Sequence, residues 1–132
     1  MAKRNKYKQR EIVEELLARM SERIFPAELG RKRVTIDSRA ADGDGVLHNL
    51  LYGREYYPIK LLIGAGADVN LVGNLGQTPL RVAVWRDHAE AVDLLLSAGA
   101  KPDVCCEFGR SPLDMAAERG LRDILRLLKQ FE

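Results

Sequence analysis

Gly76-Gln77-Thr78-Pro79-Leu80-Arg81-Val82-Ala83-Val84-Trp85 (GQTPLRVAVW, residues 76–85) is the stretch on which the fold turns. Its glycine opens a tight turn, where a positive φ is least costly. Thr78 follows as a helix N-cap, its hydroxyl accepting a backbone N–H that lacks a partner within the helix, worth about 1 kcal/mol. Pro79 takes the first helical position, where its missing N–H loses nothing. A short apolar helix then runs to Trp85, the single tryptophan of the chain. Moved forward by 33 residues, the stretch falls on GRSPLDMAAE (109–118); moved back by 33, it falls on GDGVLHNLLY (43–52). The register holds without a gap. Leu47, Leu80 and Leu113 coincide, as do Leu61, Leu94 and Leu127, and Leu62, Leu95 and Leu128. Gly66-Ala67 falls on Gly99-Ala100. A fixed period of this length is the mark of a repeat architecture, in which each unit buries its faces against its neighbours.

The rest of the unit reads in the same way. DHAEAVDLLLSA (87–98) is apolar nearly all round through Val92, Leu94, Leu95 and Leu96, which predicts a second helix lying between neighbours. Gly66 and Gly99 are its C-terminal stops. DVNLVGNLG (68–76) alternates turn residues with short apolar pieces and predicts a hairpin-like finger.

Gly-x-Thr-Pro-Leu, a helix pair closing on Leu-Leu-Leu-x-x-Gly-Ala, then Asp-x-Asn, at a 33-residue period, resembles the ankyrin repeat. The resemblance covers residues 34–132 in three units, about 40–72, 73–105 and 106–132. It implies an all-α solenoid of stacked helix-turn-helix units with short hairpin fingers. The middle unit departs from the family pattern at Arg81, where histidine is usual, and at Asp87, where glycine is usual. The first unit has Gly45-Val46 in place of Thr-Pro, so its first helix lacks the usual cap, but it keeps Leu47-His48. The third unit stops at its second helix.

A repeat needs a polar cap at each end. At the C-terminal end Leu96, Ala89 and Asp93 of the middle unit become Lys129, Arg122 and Arg126, which leaves the last helix one apolar and one basic face. At the N-terminal end REIVEELLARMSERIF (10–25) places Val13, Leu16, Leu17, Met20 and Ile24 at spacings of three and four. That spacing predicts an amphipathic capping helix ended by Pro26. Residues 1–33 thus form a basic tail and a cap, and Val34-Thr35-Ile36-Asp37 falls at the position of half a finger.

Charge divides the chain at the same place. Residues 1–33 carry ten Lys/Arg against five Asp/Glu; residues 34–132 carry eleven against fourteen. Phosphate contact through Lys3, Arg4, Lys6, Lys8, Arg10 and Arg31-Lys32-Arg33 would make the chain a nucleic-acid-associated protein. A solvated basic end is the competing reading, since only Tyr7 is at hand for stacking and the remainder is acidic. No apolar run approaches the roughly 18 residues of a membrane span, and no signal-peptide pattern follows the basic start. A cytoplasmic location is expected. The adjacent Cys105 and Cys106 read as free thiols.

Catalytic constellations are thin. His48 and His88 sit at element starts, where polar residues tie turns together. Asp42-Gly43-Asp44-Gly45 resembles the start of a calcium loop, but the twelfth position is Gly53 rather than the required glutamate. The cysteines have no further ligands at metal-binding spacing, and no phosphate-binding glycine loop appears. No enzyme activity, cofactor, metal site or small-molecule substrate is expected.

In the ankyrin resemblance, recognition uses finger tips and the exposed side of the first helix. Carried over by position, this implies Tyr52, Val72, Asn74, Leu75, Gln77, Trp85, Arg86, Glu107, Phe108, Arg110 and Glu118 as protein-binding residues, with Arg39, Ala41, Asp42, Asp44 and Cys105 at further recognition positions of the same units. Tyr52, Trp85 and Glu118 are equivalent positions and form one row; Asp42, Leu75 and Phe108 form the next. Four clustered apolar residues indicate a binding site. In the alternative, Trp85 folds over the imperfect first unit at Leu50-Leu51, and Leu75 and Phe108 turn inward. Tyr56 and Tyr57 are expected to pack against the N-terminal cap. The functional expectation is a monomer that binds one protein partner in a concave groove, by occlusion or scaffolding, of the inhibitor or immunity type.

Overall fold

A computed structural model describes residues 2–24, 33–53 and 55–131, without the side chains of residues 2–7, 9, 22 and 23. Pro26, Arg31 and Lys32, and the side chains of Lys3, Arg4, Lys6 and Tyr7, therefore lie outside the described residues. The described residues contain eight α-helices: α1 Ala2–Arg19, α2 Ser21–Ile24, α3 Val46–Tyr52, α4 Tyr56–Gly64, α5 Pro79–Trp85, α6 Ala89–Ser97, α7 Pro112–Glu118 and α8 Arg122–Gln130. No strand occurs among them, and a lone bridge joins Arg39 and Gly45.

The helices stack in two rows. α3, α5 and α7 make one row of neighbours, and α1, α4, α6 and α8 make the other. Each first helix packs on the second helix of its own unit, α3 on α4, α5 on α6 and α7 on α8. Leu62, Leu95 and Leu128, one unit apart, are all fully buried, as is Leu80. Each such side chain contributes about 1.5–3 kcal/mol of apolar burial. Leu113, the counterpart of Leu80, is only half-buried.

α1 holds the position of a second helix preceding α4, and α2 lies against α3. Leu17, Met20 and Ile24 are buried there. Two details differ from the amphipathic pattern. The helix starts at Ala2 rather than Arg10, so the segment read as a basic tail has helical backbone. Ala, Lys, Arg and Gln are strong helix formers, and without an apolar stripe they leave no periodic signal. The helix also breaks at Met20, whose N–H is shared between the carbonyls of Leu16 and Leu17, before α2 resumes.

Caps and turns repeat with the same period. Thr78 Oγ1 accepts Arg81 N–H. Ser111 Oγ accepts Asp114 N–H while Asp114 Oδ2 accepts Ser111 N–H, a complete reciprocal cap. α3 has no side-chain acceptor at its Gly45 cap; instead His48 Nδ1 accepts Gly45 N–H at 3.1 Å. Gly66 and Gly99 end α4 and α6 at φ near +96° and +98°. α7 ends on Gly120 at φ +67°, and the equivalent residue after α5 is Asp87 at φ +53°.

The fingers are closed loops, not β-hairpins. Ala40, Gly73 and Cys106 each donate N–H to the carbonyl four residues on, of Asp44, Gln77 and Arg110 respectively, and each accepts from the glycine three residues on. The loop between is too short for a ladder, so the strand-like apolar pieces make turns. An earlier loop at Thr35–Ser38, closed by Ser38 N–H on Thr35 O, is the counterpart of the Asp68–Leu71 turn and completes the half-finger ahead of α3.

Candidate functional site

Neighbouring fingers are tied by side chains that reach across one unit. The His48 ring bridges Gly45 N–H and, through Nε2 at 2.9 Å, the carbonyl of Gln77. An N–H can only donate and a carbonyl can only accept, so the ring is neutral with its proton on Nε2. Burial holds its pKa below the ordinary value, against the opposing pull of the Gln77 carbonyl and of Asp44. Asp44 Oδ1 accepts Asn74 N–H at 2.7 Å. Asn70 Nδ2 donates to Gly99 O while Asn70 Oδ1 accepts Lys101 N–H. Glu107 donates its N–H to Leu75 O. These bonds fix how the finger tips line up.

On that frame the predicted positions separate into three groups. Trp85 keeps 50% of its surface exposed at the end of α5, Val72 51%, Leu75 43% and Phe108 71%. Tyr52 meets Trp85 edge to face, with centroids 6.3 Å apart and planes at 78°, a favoured aromatic geometry. The Arg86 guanidinium lies 5.7 Å from the centroid of the Trp85 ring, within cation–π range. Arg110 and Glu118 form an ion pair. Tyr52 and Arg86 therefore each meet Trp85, and no ring contact joins Phe108 to Trp85 among the described residues. Gln77 and Asn74 are half-buried, their backbone engaged by His48 and Asp44. Glu107 is exposed.

Asp44 is not the partner-facing residue that its register position implies. It is 3% exposed, and its Oδ1 accepts Asn74 N–H. Burial, followed by the charge of Asp44, pushes the Tyr52 phenol up to about 12. Gly73 lets the following finger close on Asp44, since a Cβ there would run into Asp44 Oδ1. Tyr56 also differs, since its ring stacks on His88, 6.2 Å away and at 24°, in the following unit. His88 Nδ1 meanwhile accepts Ala91 N–H and caps α6.

Two residues matter that the sequence reading leaves out. Arg119 Nη1 donates to Trp85 O at 2.6 Å and to Val84 O at 3.4 Å, so the following unit holds the end of α5. Nothing in the pattern marks it, because arginine after α7 reads as an ordinary exposed cation. Arg81 stands at the position of His48, and its charge acts on Tyr52 on one side and Cys106 on the other. Burial disfavours the Cys106 thiolate. Hydrogen bonds from the backbone of Arg110 and Phe108, with the charge of Arg81, outweigh that, and the thiol pKa lies below its ordinary value. The Arg81 departure from the family pattern is the one signal that could have pointed to it.

Stacked helix pairs with finger loops at a constant period, each bonded to the next, define an all-helical repeat solenoid. A family model described as ankyrin repeats (3 copies) matches residues 1–106 and 47–132. The chain belongs to the ankyrin repeat family, whose repeats generally mediate protein–protein interaction and form a non-enzymatic module. It is 39% identical over 62 residues to the nuclear factor NF-kappa-B p110 subunit of Drosophila melanogaster, a match spanning 47% of this chain and 6% of that protein. Among the described residues, no cluster of His, Cys, Asp or Glu could hold a metal ion, and no helix is long and apolar enough to cross a membrane.

Proposed function

We propose that the chain binds one protein partner in the groove between its finger tips and its row of first helices. In this reading residues 1–33 cap the solenoid, residues 34–132 carry the recognition units, and binding acts by occlusion or scaffolding, as in an inhibitor. The observation that carries it is Trp85. It is half exposed, braced edge-on by Tyr52 and overlaid by Arg86, with Val72, Leu75 and Phe108 exposed on the fingers. A side chain that only sealed the first unit would be turned away from water, whereas Leu50 and Leu51 are fully buried beside a tryptophan that is not. Preorganised Trp, Tyr and Arg are the residue types that dominate interfaces, costing about 2 kcal/mol or more on truncation at a hot spot.

The test is affinity capture from native lysate with the wild type, Trp85→Ala and, as a control on the opposite row, Tyr57→Ala. Circular dichroism first establishes that all three fold alike. A protein retained by wild type and Tyr57→Ala but lost with Trp85→Ala supports the groove. Equal retention by all three removes it.

A further inference from the structure

The charged side chains around the groove differ in how far they are engaged. Asp42 Oδ1 accepts Asp44 N–H, Asp44 Oδ1 accepts Asn74 N–H, Glu118 is paired with Arg110, and Glu107 is exposed on its finger. Arg81 and Arg86 make no ion pair among the described residues, and the Nε–H of each is buried without an acceptor. A buried donor without a partner is rare and calls for an explanation. Both guanidiniums stand near the indole. Arg86 lies over Trp85, and Arg81 precedes Trp85 by one turn on the same side of α5.

We infer that the partner presents an acidic peptide segment, in which an apolar side chain lies on Trp85 and Tyr52 while flanking Asp or Glu carboxylates are received by Arg81 and Arg86. The inference rests on the groove reading above and adds the chemistry of the partner. A guanidinium offers donors in a planar fork that matches a carboxylate. Docking strips water from this face, so a neutral or basic segment would cover two cations and supply no opposite charge to offset their desolvation. The half-exposed indole gives the segment its apolar anchor, and Phe108 and Leu75 bound it on the finger side.

A random-peptide display library selected on the full-length chain provides the test. Peptides enriched by the wild type are expected to carry net negative charge around an aromatic or aliphatic residue, and to be lost on Trp85→Ala. Synthetic copies, titrated by fluorescence anisotropy, should bind at least tenfold more weakly when their Glu and Asp are changed to Gln and Asn. This change leaves the protein untouched. They should weaken similarly on the double substitution Arg81→Gln with Arg86→Gln. Trp85-dependent peptides that are neutral or basic, or acidic peptides indifferent to loss of their carboxylates, overturn the inference while the groove reading stands. A selection whose products ignore Trp85→Ala, or that yields none, overturns both.

Discussion

Single residues here do things that their neighbours in the repeat do not. Asp87 stands where α7 has Gly120, yet it adopts the same left-handed conformation, φ +53° against +67°. The helix end requires it: His88 N–H reaches back to Ala83 O as Leu121 N–H does to Ala116 O. Asp87→Gly relieves that strain and should raise stability by up to about 1 kcal/mol, read as a higher urea midpoint with unchanged slope. Leu75 carries the same kind of strain at φ +56°, on an exposed finger tip. Strain of this kind persists where the surroundings over-determine it, often at functional positions. Leu75→Gly should therefore leave stability equal or higher and weaken partner binding, a split that the urea midpoint and a titration measure separately. His48 sets a pH limit. Its folded pKa is depressed, so its contribution is full above the ordinary imidazole value of about 6.5. As pH falls below that value, the unfolded chain takes a proton that the folded ring refuses, and stability declines until the folded pKa is passed. The urea midpoint should be lower at pH 5.5 than at 7.5. His48→Gln should be less stable at pH 7.5, and less sensitive to pH.

At the scale of elements, the spacing of leucines, glycines and cap residues was enough to locate both helices of each unit, since a short helix between a Thr-Pro start and a glycine stop has little freedom in where to begin and end. What escaped has no periodic signature. The first turns of α1 lack an apolar face. The finger was legible as a turn-rich segment but not as a closed five-residue loop. Trp85 and Tyr52 could be aligned by register, but Arg119 on the Trp85 carbonyl and the burial of Asp44 depend on how adjacent units are offset in space. The caps allow a check on this element-level picture. Thr78 and Ser111 each hold one first helix, so Thr78→Ala and Ser111→Ala should each lower stability by about 1 kcal/mol. The Ser111 change should also loosen the hold on Asp114. Its carboxyl pKa is held below the ordinary value first by the backbone N–H of Ser111 and then by its hydroxyl; Ser111→Ala removes the hydroxyl alone, so the pKa should rise only part of the way, as followed by NMR titration.

Over the whole molecule, stability runs along one dimension. Among the described residues each unit packs chiefly on the units beside it, through α3–α5–α7 in one row and α1–α4–α6–α8 in the other. The stability of such an array is a sum of unit terms and nearest-neighbour interface terms. The middle unit supplies two interfaces and the last unit one. Leu95 and Leu128 are equivalent and equally buried, so truncation of either removes the same group, a loss of about 2–5 kcal/mol for leucine to alanine in a core. Their consequences should differ. Leu95→Ala weakens α6 against both α4 and α8, leaving neither flank a sound neighbour, and should lower the protection of amides from α3 to α8 together in hydrogen exchange. Leu128→Ala weakens α8, which packs on α6 and α7 while its far face, with Arg122, Arg126 and Lys129, is exposed among the described residues. It should open α7 and α8 while α3 to α6 keep most of their protection. Opening of that end also releases Arg119 from the Trp85 carbonyl, so Leu128→Ala should loosen the groove without touching any residue in it. Uniform loss of protection in both variants would mean that the units unfold as one body, and that the ends are not independent of the middle.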